Sequence, residues 1–103
     1  MSSQRIDQET ALDLINNENA MVVDIRDPAS FQSGRIKDAR HLDNQSVSEF
    51  VARTDPNHPV IICCYHGNAS QGAAEFLTQQ GFSRCFSLDG GFHAWRLAGH
   101  PED

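Results

Sequence analysis

No apolar run in this 103-residue chain approaches the roughly 20 residues that a membrane-spanning helix needs, so a membrane protein of that kind is set aside. Met1-Ser2-Ser3-Gln4-Arg5 lacks the charged start and apolar core of a secretory signal, and the expected location is cytoplasmic. Cysteine is scarce and odd in number, with three in the chain and two of them adjacent, Cys63 and Cys64. That is a poor basis for a disulfide framework and points to free thiols in a reducing compartment. Basic clusters are missing too: the formal net charge is -6, and no stretch gathers Lys and Arg. Broad electrostatic binding to nucleic acid or to an anionic membrane surface is therefore not expected. An anionic substrate would have to be held locally, by directed donors. No linker, repeat or low-complexity tract divides the chain. With 39% hydrophobic and 21% charged residues, one ordinary globular domain over 1-103 is the expectation.

What is present is an alternation of periodicities. Asp7 can cap a helix whose apolar residues Ala11, Leu14 and Ile15 follow helical spacing, ended by the turn formers Asn16 to Asn19. Met21-Val22-Val23-Asp24-Ile25 reads as a buried strand, after which Pro28 suits the first position of a short helical turn carrying Phe31 and closed by Gly34. A short extended piece is expected at Arg40-His41-Leu42. Ser46 and Glu49 have capping-box spacing ahead of a helix with Val47, Phe50 and Val51 on its apolar face. Asp55-Pro56-Asn57-His58-Pro59 is a connection. The strand Val60 to Cys63 follows, then a helix from about Ala69 to Gln80 with an expected buried stripe of Ala69, Ala73, Phe76 and Leu77 and Gly81 as its C-cap. A strand Cys85-Phe86-Ser87-Leu88 leads through Asp89-Gly90-Gly91 into a last short helix with Phe92 and Trp95 on one face, ending at Gly99. Repeated βα units of this kind call for an α/β fold, a small parallel sheet flanked by helices on both faces.

The segment Cys64-Tyr65-His66-Gly67-Asn68-Ala69-Ser70 stands out because it joins an apolar strand to a helix. In α/β proteins ligands bind at the carboxyl ends of strands, and the following helix offers unpaired N-H groups and a positive dipole end. Gly67 and Asn68 tolerate positive φ and let a short loop turn several N-H groups inward. Such a nest around Cys64 would stabilise a thiolate, a persulfide or an incoming oxyanion. The plainer alternative is a buried space-filling thiol, which is how Cys63 and Cys85 are read. Cys63, Cys64 and His66 are too crowded along one strand end to converge on a metal ion, and no metal or other cofactor is expected.

These residues carry a resemblance. Val23-Asp24-Ile25-Arg26-Asp27-Pro28, Phe31 with Gly34 and Ile36, Cys64-Tyr65-His66-Gly67-Asn68, and Asp89-Gly90-Gly91-Phe92 with Trp95 occur in the order found in the rhodanese family. The chain resembles its single-domain members, the GlpE-type thiosulfate sulfurtransferases of bacteria. The Cys-Tyr-His-Gly-Asn loop is the specific part, and the matching segments span nearly the whole chain. The resemblance implies that Cys64 attacks the outer sulfur of thiosulfate, releases sulfite and holds the sulfur as a persulfide. Cyanide, a small thiol or a thioredoxin-like protein would then remove it. Tyr65, His66, Gly67, Asn68, Ala69 and Ser70 would form the substrate-binding loop.

Two departures from the broader family pattern matter. Many members carry Arg or Lys within or just after the loop, whereas here there is only His66 and then Gln71; weak binding of the donor anion is expected. The residue between Gly34 and Ile36 is Arg35, read as a solvated surface arginine, with a compensating cation as the alternative. His66 could tune the thiolate or simply lie exposed, and Tyr65 could wall the pocket or pack. Ser70 could direct its hydroxyl at the sulfur or cap the helix, with Asn68 a rival cap and Gln71 at its N3 spacing. Asp24 and Arg26 read as a structural ion pair at the strand-to-turn junction, and Asp89 as a turn former. Two other functions compete. A cysteine phosphatase or arsenate reductase would need a clamping Arg where Ser70 stands, and none follows before Arg84. A persulfide relay or binding module, without free thiosulfate as donor, is the stronger alternative.

Overall fold

Strand β4 (Val60–Cys63) shows how the chain is laid out, because all four of its residues are buried and successive side chains enter different cores. Ile61 and Cys63 pack on one face with helix α1 (Gln8–Glu18) and helix α5 (Gly91–Leu97). Val60 and Ile62 pack on the other with helix α3 (Val47–Arg53) and helix α4 (Ala69–Gln79). The computed structural model describes residues 4–103. Met1 to Ser3, part of the stretch read against a secretory signal, lie outside the described residues.

The remaining strands are β1 (Gln4–Ile6), β2 (Met21–Asp24), β3 (Arg40–His41) and β5 (Cys85–Leu88). They form a five-stranded sheet in the order β1-β5-β4-β2-β3, parallel throughout. This is the expected single small α/β domain, with helix α2 (Pro28–Ser33) at the carboxyl edge of β2. No helix among the described residues is long and apolar enough to cross a membrane. The crossover after β2 runs outward to β3 and the one after β4 runs outward to β5, so the connections leaving the two paired strands diverge beyond their carboxyl ends. A crevice of this type is where open α/β sheets bind ligands. Asp24 is in register with Cys63, and Cys64 is the first residue beyond the edge.

Helix ends follow the short-range signals in part. Asp7 accepts the Thr10 N-H at 2.8 Å and Asn19 closes α1 in the left-handed conformation; Asp27 caps α2, with Pro28 at its first position. The capping box at Ser46 does not form. Asp43 takes the role one turn earlier, accepting the N-H groups of Gln45 and Ser46 at 2.9 Å each, and Ser46 makes no cap bond. The expected stripe of α4 is also rotated. Ser70, Ala74 and Leu77 are its buried residues, whereas Ala69 is exposed, Ala73 half-buried and Phe76 44% exposed. The helix is placed by its first turn, where Ser70 must reach the thiol, and this turns Phe76 outward.

Strand β1 has no counterpart among the sequence expectations. It pairs only with β5, its first two residues are exposed, and a single apolar residue gives no alternation to detect.

Candidate active site

The loop after β4 closes around a sulfur atom. Cys64 is 4% exposed, and its Sγ accepts the N-H of Gly67 at 3.1 Å and of Ser70 at 3.3 Å, with Ser70 Oγ also at 3.3 Å. Burial pushes this thiol up. The Ser70 hydroxyl, then the N-H groups of Ser70, Gly67 and His66, outweigh that and bring Cys64 below the ordinary thiol value. The other two thiols show burial alone prevailing: Cys85 is pushed up to about 12, and Cys63 is raised further by burial and by the carboxylate of Asp24. All three are free, and among the described residues only Cys64 has N-H donors aimed at its sulfur.

Two glycines allow the loop to seat. Gly67 has φ +90°, and a Cβ there would stand 2.9 Å from Gly90 N and 3.1 Å from Leu88 O. Gly91 has φ +59°, and a Cβ on it would meet Cys64 O at 2.4 Å and Tyr65 O at 2.6 Å. The first turn of α5 therefore lies directly against the thiol loop, where the Phe92 N-H donates to Cys64 O at 2.8 Å and the His93 N-H to Tyr65 O at 3.0 Å. The Asp89-Gly90-Gly91 segment, read from sequence as a turn, is the wall that holds Cys64 in place.

Ser70 resolves toward the sulfur. Its hydroxyl lies between Cys64 Sγ and Ser87 Oγ, the latter 2.7 Å away, and all three residues are buried. Asn68 occupies the N-cap position without a side-chain bond, so neither rival forms the expected cap. Gln71 Nε2 donates instead to Gly67 O at 2.8 Å and braces the loop. Asn68 and Ala69 are exposed and shape the loop through their backbone.

Tyr65 and His66 point out of the nest. Tyr65 is 46% exposed and its hydroxyl bonds Asp27 and Ser30, tying the loop to the start of α2; the Tyr65 hydroxyl and the Ser30 donors hold the Asp27 carboxyl down to about 2. His66 faces His93, ring centroids 5.1 Å apart. These rings line a cleft of about 290 Å³ with Arg26, Tyr65, Phe92 and Arg96. A roomier concavity of about 480 Å³ between β3 and α3 is lined by no residue of the thiol loop.

The cations beside the loop are not the one considered from sequence. Arg35 turns back onto its own helix, donating to Phe31 O at 3.2 Å with its guanidinium over the Phe31 ring. Arg26 and Arg96 are the arginines of the cleft. Arg26 is buried, doubly bonded to Asp24 and donating to Gly34 O at 2.7 Å, with Phe92 stacked 4.2 Å from its guanidinium carbon. This is the anchoring pair expected at the β2-α2 junction. Arg96 reaches the cleft from α5 and is paired with Glu102. Its position, like that of His93 and Ser87, depends on how β5 and α5 dock, and no local motif announces it.

Comparison with known proteins agrees with this geometry. Residues 7–98 match the family model of the rhodanese-like domain. The chain is 54% identical over 93 residues to the thiosulfate sulfurtransferase GlpE of Pseudomonas putida, covering 90% of this chain and 84% of that one. It is 55% identical over 100 residues to the enzyme of the same name from Pseudomonas aeruginosa, covering 97% and 89%. Among solved structures, a rhodanese-related protein from Thermoplasma volcanium superposes with a TM-score of 0.77 at 28% identity, covering 97% of each chain. A rhodanese-like domain from Anabaena reaches 0.85 at 19% identity, a likeness of fold, covering 96% of this chain and 77% of that one. With its family model matched from Asp7 to Ala98 and 54–55% identity to such relatives over 93 and 100 residues, the chain belongs to the rhodanese family.

Proposed function

We propose that this protein is a thiosulfate sulfurtransferase that works through a persulfide on Cys64. The observation that carries the reading is the set of donors converging on Cys64 Sγ at the carboxyl edge of the central strand. The GlpE relatives, named for this activity, supply the substrate class.

The thiolate attacks the outer sulfur of thiosulfate. A sulfur-sulfur bond forms to Cys64, the bond from that sulfur to the sulfonate breaks, and sulfite leaves with the electron pair. From the thiolate no proton needs to move, because the charge passes to the outer sulfur. N-H groups that now hold the thiolate are fixed before the reaction, so they stabilise negative charge with no reorganisation. In the second half, cyanide or a thiolate attacks the outer sulfur and Cys64 departs as the thiolate again. A thioredoxin-like dithiol is an acceptor of the right chemistry. The cleft that His66 and His93 line also holds Arg26 and Arg96, which give a sulfonate cationic neighbours despite a loop without Arg or Lys. We take 1-103 as one rhodanese domain, supported by a continuous sheet and the match over 7–98. A cytoplasmic setting suits its three free thiols.

The test is direct. After incubation with thiosulfate and removal of the donor, intact mass should rise by one sulfur atom, and added cyanide should release thiocyanate and restore the original mass. Cys64→Ser should do neither, while Cys63→Ser should retain both. A Cys64→Ser chain that makes thiocyanate at the wild-type rate would end this reading.

A further inference from the structure

The mechanism leaves one buried polar side chain unexplained. Ser87 lies in β5, on the strand next to the one that carries the nucleophile, and is fully buried. Among the described residues its hydroxyl has a single hydrogen-bond partner, Ser70 Oγ at 2.7 Å, and Ser70 Oγ is in turn 3.3 Å from Cys64 Sγ. A serine in the interior of a strand, flanked in sequence by Phe86 and Leu88, costs desolvation that an alanine would avoid.

Two hydroxyls at this distance can donate only one way at a time. If Ser70 donates to Ser87, the Ser87 hydrogen has no acceptor and the sulfur loses its only side-chain donor. If Ser87 donates to Ser70, the Ser70 hydrogen is left to point at Sγ. The second arrangement satisfies both buried hydrogens, and it is complete when the sulfur is an acceptor, as thiolate or persulfide. We infer that Ser87 is a positioning residue for the nucleophile: by donating to Ser70 Oγ it turns the Ser70 hydroxyl hydrogen toward Cys64 Sγ. Without Ser87, the Ser70 hydroxyl is free to rotate, to accept from a Cys64 thiol or to bond a carbonyl of its own helix.

This inference rests on Cys64 being the reactive thiol, and the experiment separates the two ideas. Alkylation of Cys64 by iodoacetamide is followed across pH by intact mass, with Cys64→Ser as the blank. Ser70→Ala should raise the pH midpoint by about one to two units, the worth of one hydrogen bond to a charged group. Ser87→Ala should raise it by roughly half a unit, which below the midpoint is about threefold slower alkylation. In the Ser70→Ala background Ser87→Ala should move it no further, because the hydroxyl through which Ser87 acts is gone. A purely structural Ser87 would lower the unfolding temperature but leave the midpoint in place. Ser87→Thr keeps the donor and should retain the wild-type midpoint, which also serves if the alanine variant does not fold. An unchanged midpoint in Ser87→Ala, or an equal shift with and without the Ser70 hydroxyl, overturns the inference even if thiosulfate loads Cys64. A wild-type chain that shows the Ser87 effect but gains no sulfur from thiosulfate would keep the inference and overturn the sulfurtransferase reading.

Discussion

Replacing Gly91 by alanine tests whether the start of α5 truly holds the thiol loop. The added Cβ would fall 2.4 Å from Cys64 O and 2.6 Å from both the carbonyl carbon and oxygen of Tyr65, inside the 3.0 Å that side-chain carbons essentially never breach. All of these are backbone atoms, so no rotamer change can relieve the overlap. The residue would also carry φ +59°, which costs a non-glycine residue about 1–2 kcal/mol. Parting the two segments breaks the bonds from Phe92 N-H to Cys64 O and from His93 N-H to Tyr65 O, each worth about 0.5–1.5 kcal/mol. The expected destabilisation is about 2–5 kcal/mol, and at about 4–8 °C per kcal/mol the unfolding temperature should fall by roughly 8–40 °C. Gly99→Ala is the control. Gly99 has φ +76° and nothing within 4 Å of an added Cβ, so it bears the backbone strain alone, about 1–2 kcal/mol. Thermal unfolding by circular dichroism gives the stabilities, and thiocyanate formation below both transitions gives the activity. Gly91→Ala should be at least about tenfold slower because Cys64 is displaced from its donors, whereas Gly99→Ala should match wild type. Were Gly91→Ala no less stable than Gly99→Ala and fully active, the claim that this backbone contact seats the nucleophile would be wrong.

Other outcomes follow from single features. Arg26→Leu strips the buried Asp24 carboxylate of its partner and should cost about 3–5 kcal/mol in urea unfolding; a loss below about 1 kcal/mol would mean that the pair is not an anchor. Gly72 sits within α4 with open space around it, so Gly72→Ala should add about 0.5–1 kcal/mol of stability and leave sulfur transfer unchanged. Cys63 and Cys85 are raised in the folded state, so they favour folding below the ordinary thiol value. That contribution is lost as pH rises from there, by up to about 1.4 kcal/mol per thiol for each pH unit; a stability that stays flat in urea titrations across the alkaline range would contradict it. Cys64 is lowered, so its contribution has the opposite sign: it favours folding above the unfolded thiol value and disappears as pH falls through the folded one. The reaction with thiosulfate should accordingly keep its rate at pH values where a free thiol, with its midpoint near about 8.5, is mostly protonated.

What could be foreseen locally and what could not divide along the range of the interactions. Asp7 and Asp27 with Pro28 mark helix starts because the N-H groups they satisfy are within a few residues, and Gly81, expected as the cap of α4, stands one residue beyond the actual cap Gln80 and donates its N-H to Thr78 O. Ser46 misled for the same kind of reason: Asp43, three residues earlier, bonded the same turn first. Strand β1 was invisible because what holds it is the edge of β5, 82 residues away at Gln4 and Phe86, and not its own pattern. The buried stripe of α4 was placed on the wrong residues because spacing alone cannot say which way a helix is turned when one polar residue, Ser70, has an engagement in the core.

Cys64, the loop that follows it and the parallel α/β plan were determined by the sequence by itself. Apolar runs, turn formers and a thiol at a strand-to-helix junction are properties of short stretches, and the order of the motifs is a property of the chain. Only the tertiary structure decided which groups meet at that thiol. It brought Ser87 from β5 behind Ser70, laid Gly91 against the Cys64 carbonyl, turned Arg35 away and set Arg96 and His93 beside the loop. Apart from the local turn of Arg35 onto Phe31, each of these depends on the docking of β5 and α5, whose positions are set by burial of Leu88, Phe92 and Trp95 against a core drawn from the whole chain. Cys64 was thus legible as a candidate, while the lowering of its thiol, which needs donors at hydrogen-bond distance from one sulfur atom, came from packing.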